Sequence, residues 1–464
     1  MTRTAPVRRF AGQASRPAAP VRLLHLGLGN FFRAHQAWYT EHASDATDWG
    51  YAAFTGRHGD LAAALTAQDC RYTLVTRAAD GDKMEQVASL SQALPAAEHE
   101  AWLAHFASPA LAAVTITVTE AGYCRDRLGG LDIDRPDVAA DLEALRSHPR
   151  APVRTVPARL VAGLAARRHA DAGPVALVPC DNLAGNGAIV RAVVAELAAL
   201  VDERLPGWLT ESVTVVTTMV DRITPRATEA DLEAVARATG VADPCAVVTE
   251  PFSDWVLSGR FPSGRPRWED AGAMFADDIA PFEERKLWLL NGGHSLLAYA
   301  GSILGHETVA QAVADPACLG WLEEWWAVAS AQLGQGADEI ASYRAALLDR
   351  FANPRIGHRL DQIAADGSQK IGVRVVPVLR AQRQAGRLPP GATRPVAAWI
   401  CHLRDLGAPV NDARADEVGP LARGRLPDAV RRVLAWLDPE LGADADLVAA
   451  ITSQCEELAA LVAL

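Results

Sequence analysis

Lys286, Asn291 and His294 stand in the run Lys286-Leu-Trp-Leu-Leu-Asn291-Gly-Gly-His294, and their side chains are those of an acid/base site. The chain has three lysines among its 464 residues, against 42 arginines. Arginine keeps its proton in any protein environment, whereas a desolvated lysine can be brought toward neutrality and take a proton. On an α-helix the three positions fall within an arc of about 140° and span roughly 12 Å along the axis, which is long for one site. Side chains lean toward the helix N-terminus, however, so Asn291 and His294 reach back. Gly292 and Gly293 weaken a helix, which makes sense where a ligand or another backbone comes close. The plain alternative is a hydrogen-bonded core histidine beside an Asn-Gly-Gly helix break, and a solvated surface lysine.

A second set of residues clusters where strands should end. The first apolar run leads into Gly27-Leu28-Gly29-Asn30-Phe31-Phe32-Arg33. Gly27 permits a tight turn, and Gly29 lets the backbone approach a pyrophosphate at the start of the next helix. Phe32 takes the third glycine position of the usual fingerprint, so the motif is incomplete. Arg33 sits where a cation meets phosphate oxygens, or is simply a solvated helix cation. The next run ends in Thr55-Gly56-Arg57-His58-Gly59-Asp60, where Asp60 comes late for a ribose 2′-hydroxyl and Arg57 could accept a 2′-phosphate. The choice between NAD and NADP stays open. Further polar clusters are Thr119-Glu120-Ala-Gly122-Tyr123, Cys180-Asp181-Asn182 and Asp221-Arg222-Ile-Thr-Pro225. Each alone is ordinary turn chemistry; their recurrence at strand ends favours a site.

The elements that must position these groups follow from periodicity. Apolar runs at Val21–Leu26, Tyr51–Thr55, Ala112–Val118, Val175–Val178 and Val213–Met219 alternate with helical patterns such as Pro157–Arg168 and Ala188–Val201. That is the signature of a parallel sheet covered on both faces. From Phe282 onward helical patterns dominate: Glu284–Leu304, Gly320–Leu333, Tyr343–Phe351, Val396–Leu406 and Leu447–Leu464. The expectation is an N-terminal tail (1–20), an α/β dinucleotide-binding domain (21–277) and a mainly α-helical substrate and catalytic domain (278–464), with the boundary inside Trp268–Pro281.

Composition bounds the rest. A net charge of −11 argues against a nucleic-acid binder or a basic membrane-surface protein. Seven cysteines, odd in number and without a CxxC pair, fit reduced cytosolic thiols better than disulfides or zinc. No secretory signal and no apolar run of about 18 residues is evident, so a cytoplasmic protein without a membrane span is expected.

Taken together, Gly27-x-Gly29-x-x-Phe32-Arg33-Ala-His-Gln, Thr119-Glu120-x-Gly122-Tyr123, Cys180-Asp181-Asn182, Asp221-Arg222-Ile-Thr-Pro and Lys286-x4-Asn291-x2-His294 resemble the mannitol dehydrogenase family. The resemblance runs from about Val21 onward. It implies a Rossmann-type domain, a helical C-terminal domain and an active site between them. It also implies a nicotinamide cofactor (NAD, with NADP open), no metal, and a small sugar acid or polyol as substrate; whether the protein is a monomer or a dimer is not read from the sequence. Lys286 is then the general base, Asn291 and Asn182 the oxyanion hole, and His294 the group that orients the reacting oxygen. Two amides aimed at an alkoxide-like oxygen stabilise its charge as it develops. The base must titrate near the working pH, so burial and the cofactor's positive ring should depress Lys286. Gly27, Gly29, Phe32, Arg33, Arg57 and Glu120 fall to the cofactor, and Asp221 and Arg222 to the substrate. The later run Asn353-Pro-Arg-Ile-Gly-His358-Arg359 and Asp366-Gly-Ser-Gln-Lys370 resembles the mannonate oxidoreductase (fructuronate reductase) branch. There His358, Arg359 or Lys370 could meet a substrate carboxylate, or be surface cations. The expected reaction is D-mannonate with NAD to D-fructuronate. Neutral mannitol or arabinitol is the alternative substrate, and a non-catalytic cofactor sensor the alternative class.

Overall fold

The structure, a computed structural model, describes residues 17–56 and 58–462. Arg57 and most of the N-terminal tail lie outside the described residues. The chain forms two compact units: one runs to Ile279, the other from Ala280, with Ala78–Asp80 grouped with the second.

Among the described residues the first unit contains twelve strands: β1 (Val21–Leu26), β2 (Gly50–Phe54), β3 (Tyr72–Ala78), β4 (Gly81–Val87), β5 (Leu90–Leu94), β6 (Ala113–Ile116), β7 (Val175–Pro179), β8 (Val213–Val215), β9 (Thr217–Asp221), β10 (Val247–Thr249), β11 (Asp254–Ser258) and β12 (Met274–Phe275). Six of them make a sheet in the order β5-β2-β1-β6-β7-β8, every neighbouring pair parallel. Successive residues of a strand face opposite ways, and here both faces are covered. Leu23, Ala53, Ala113 and Ala176 enter one core, while Leu24, Ala52, Val114 and Leu177 enter the other. The order reverses between β1 and β6. That makes a crevice at their carboxyl ends, the place where open α/β sheets hold ligands.

One expected strand is two. The run Val213–Met219 leaves the large sheet after β8, and β9 pairs antiparallel with β11 in a separate three-stranded sheet. An apolar run records burial without recording which partner strand lies beside it. A further small sheet, β10-β3-β4, was not foreseen, because β4 is polar and only partly buried.

The second unit is helical, as the resemblance implied, but its key helix differs from the expectation. Glu284–Leu304 is not one α-helix. An α-helical turn at Ala280–Arg285 passes into a wide π-helical stretch at Lys286–Gly292, then α at Gly293–Leu296 and π again at Leu297–Gly301. The cause lies in the facing helix, Pro316–Ser330. The indole N–H groups of Trp325 and Trp326 donate to the carbonyls of Trp288 (2.9 Å) and Leu289 (2.8 Å). A widened turn displaces carbonyls from the α pattern, and these outside donors satisfy them. Gly292 permits the close approach: a Cβ there would lie 2.7 Å from the Trp325 ring.

Candidate active site

In the first unit the glycine turn sits at the switch point. Gly27 adopts φ +110°, and a Cβ on it would lie 1.9 Å from the Thr117 carbonyl oxygen just past β6. Only glycine fits there. Gly29, two residues on, would meet nothing nearer than the Gly27 carbonyl at 3.6 Å, so the backbone is open to an incoming group. Phe32 is buried, stacked at 3.7 Å on His25 of β1.

Arg33 does not present itself to a phosphate. It is 3 % exposed, and its guanidinium donates to Gly29 O (3.2 Å), Asn30 Oδ1 (2.7 Å) and the Cys245 carbonyl. It braces the turn from inside. Arg222 behaves alike. It is buried, donates to the carbonyls of Ala34 and Glu250, and lies 4.6 Å from the Trp38 ring. Its donors are committed within the first unit rather than offered to a substrate. Asp221 closes β9 opposite Asp254 of β11, and Glu120 is exposed and ion-paired with Arg125 at 3.1 Å.

The ends of β6 and β7 are tied by one carboxylate. Asp181 accepts from the Val118 amide and from the Tyr123 hydroxyl, and burial raises its pKa to about 7. Asn182, the next residue, is exposed at the tip. Asn186 holds this tip to β9. Its amide donates to Thr218 O (2.9 Å) and Asp181 O (3.2 Å) and accepts from Thr218 N (3.0 Å). A buried amide tying two strands leaves no spacing signature in the sequence.

In the second unit Lys286 and His294 are buried, at 9 % and 8 % exposure, and Asn291 is half-buried. The π-helical pattern bonds residue i to i+5, so Lys286 and Asn291, five apart, stack one above the other on the backbone. His294 stacks on Phe351 with centroids 4.5 Å apart and meets His358 edge-on at 4.9 Å. Burial holds His294 well below the usual imidazole value, reinforced by His358, Arg350 and Arg374. The ring is therefore neutral near pH 7, able to donate or accept a hydrogen bond without carrying charge. His358 is lowered to about 4 by burial and by Arg350. Arg350 and Arg374 went unnoticed in the sequence, being two arginines among many.

The other expected substrate cations have partners of their own. Arg359 is exposed and paired with Asp361 (3.0 Å), a surface ion pair rather than a binding group. Lys370 donates to the carbonyls of Ile363 (3.2 Å) and Ala365, closing the helix Leu360–Ala364, and burial lowers its pKa. Among the described residues one trio, His306, Asp315 and Cys318, brings possible metal donors within 4.8 Å of one another. There His306 Nε2 and Asp315 Oδ2 already hydrogen-bond at 2.8 Å, and Asp315 caps the helix Pro316–Ser330. All seven cysteines are buried free thiols, and no helix among the described residues is long and apolar enough to cross a membrane.

Residues 21–270 match the model of the mannitol dehydrogenase Rossmann domain, and 278–459 that of the mannitol dehydrogenase C-terminal domain. The chain is 36 % identical to D-mannonate oxidoreductase of Escherichia coli (strain K12), over 94 % of this chain and 93 % of that one. It is 39 % identical to D-arabinitol 4-dehydrogenase of Ralstonia nicotianae, over 79 % of each. Among solved structures it resembles Pseudomonas fluorescens mannitol 2-dehydrogenase in ternary complex with NAD and D-mannitol. That likeness has a TM-score of 0.75 at 31 % identity and covers 98 % of this chain and 93 % of that one. The clear approach at Gly29 and the tight turn at Gly27 fit a dinucleotide's pyrophosphate at the carboxyl end of β1.

Proposed function

The chain belongs to the mannitol dehydrogenase family and is a nicotinamide-dependent oxidoreductase acting on CH–OH groups of polyols or sugar acids; from that premise we propose that it interconverts D-fructuronate and D-mannonate with NAD as cofactor. The observation that carries the acid over the neutral polyol is the surroundings of His294, where two arginines, Arg350 and Arg374, act on the ring beside His358, itself neutral near pH 7. The 36 % identity to D-mannonate oxidoreductase over nearly the full chain supports the same reading. NAD is the cofactor of the similar mannitol 2-dehydrogenase structure, and seven reduced thiols suit a cytoplasmic enzyme.

When bound, the nicotinamide accepts or supplies the hydride. The chain's residues handle the proton and the oxygen. Lys286, buried on the π-helical turn, takes the hydroxyl proton as the alcohol is oxidised and returns it in the reverse direction. Asn291 and Asn182 carry the oxyanion role proposed for them, donating to the oxygen as negative charge develops on it. His294, neutral and fixed against Phe351, orients that oxygen without competing for its proton. Asp181 keeps Asn182 in register with the ends of β6 and β7.

A neutral polyol is the second reading, favoured by the 39 % identity to D-arabinitol 4-dehydrogenase over a shorter span. Following NADH absorbance with D-fructuronate, D-tagaturonate and D-fructose in parallel separates the two. D-fructuronate should give the highest kcat/KM. A preference for D-fructose establishes the polyol reading, and turnover of no carbonyl or alcohol leaves only cofactor binding.

A further inference from the structure

Arg374 ends the helix Gly367–Arg374, and its guanidinium donates to the Asn291 carbonyl (3.4 Å) and the Ser295 hydroxyl (3.1 Å). Both partners are neutral. Burial lowers its pKa, and no carboxylate is among the groups that act on it. The acids of this neighbourhood, Asp366 and Asp412, act on Lys370 and Tyr299. A desolvated guanidinium without a carboxylate is costly, and both hydrogen bonds of Arg374 leave from Nη1, so its fork, unlike those of Arg33 and Arg222, is not used up by backbone carbonyls. Arg374 holds the hydroxyl of the residue after His294 and the backbone of Asn291, which sets it beside the proposed catalytic groups.

We propose that Arg374 determines substrate specificity by pairing with the carboxylate of a sugar acid, and so selects sugar acids over neutral polyols. The proposal rests on the reaction assigned above. The planar fork of a guanidinium matches a carboxylate with two parallel hydrogen bonds, and a neutral hydroxymethyl group leaves it unpaired. Arg350, which acts on both His294 and His358, adds positive potential without being required for that pairing.

The test uses the full-length protein with NADH and either D-fructuronate or D-fructose, as wild type, Arg374→Gln and Arg374→Lys. The readout is kcat/KM for the acid divided by kcat/KM for the neutral ketose. That ratio cancels any loss both substrates share through Asn291. In Arg374→Gln the ratio falls about 100-fold, chiefly through KM for the acid. In Arg374→Lys it falls about tenfold, because the ammonium keeps the charge and loses the fork. NADH affinity and melting temperature confirm folding, and if Arg374→Gln does not fold, Arg374→Lys carries the test. A high wild-type ratio that survives substitution overturns the role of Arg374 alone. A wild-type ratio below one overturns the assigned reaction, whatever the variants do.

Discussion

The arginines beside the candidate residues of the two units do opposite things: Arg33 and Arg222 are buried, Arg350 and Arg374 half-buried. In the first unit Arg33 and Arg222 turn inward, and their donors are consumed by backbone carbonyls at Gly29, Cys245, Ala34 and Glu250. They are braces that hold a glycine turn and a strand end. In the second unit Arg350 and Arg374 stand around a buried imidazole, and the partners of Arg374 are a hydroxyl and a single carbonyl. The same side chain is framework in one region and potential in the other. What decides is the partner: carbonyls take the fork's hydrogen bonds without cancelling its charge, but a fork fully used in that way has nothing left for a substrate.

The contrast can be attacked from several sides. The largest effect belongs to the second unit: Lys286→Ala should lower kcat by about 10²- to 10⁴-fold, the range for loss of a general base, with NADH binding retained. Stopped-flow turnover and NADH fluorescence titration measure the two. Next is the brace. Arg222→Gln leaves the carbonyls of Ala34 and Glu250 without their donor and should destabilise the protein by about 2–4 kcal/mol in urea melts. The folded fraction should keep its acid-over-ketose preference, which would fail if Arg222 touched substrate.

The two units should also weaken at opposite ends of the pH scale. His358 is held at about 4 and His294 is displaced the same way, against 6.5 for an unfolded imidazole. Between those values the unfolded chain binds more protons, so their contribution is complete above pH 6.5 and is lost as pH falls toward about 4. Asp181 has the reverse sign: raised from 3.8 to about 7, its contribution is complete below 3.8 and is lost as pH rises through about 7. Urea melts at several pH values should show His358→Asn flattening the acid arm and Asp181→Asn flattening the alkaline one. The smallest effect is at the surface. Arg359→Ala, removing an exposed pair with Asp361, should change stability by less than about 1 kcal/mol and leave the substrate ratio unchanged.

Much of this was legible from the chain, and the gaps have physical causes. β1 announces itself because a buried parallel strand must be apolar throughout and then break at a glycine. β4 could not, since its residues are polar and half-buried and carry no clean alternation. The division of Val213–Met219 between two sheets depends on pairing, which no single run encodes. Lys286, Asn291 and His294 stood out by type. Their spacing misled, because the π-helical turn depends on Trp325 and Trp326, indoles 37 residues away. The tasks of Arg33 and Arg222 were hidden for a similar reason: their partners are carbonyls, which every residue has.

Chemical rescue of Lys286→Ala tests the account most directly. With D-mannonate and NAD, added primary amines of graded pKa should restore NADH formation in proportion to the uncharged amine, and wild type should gain nothing. A folded, cofactor-binding Lys286→Ala protein that already turns over like wild type would show that no proton passes through this position.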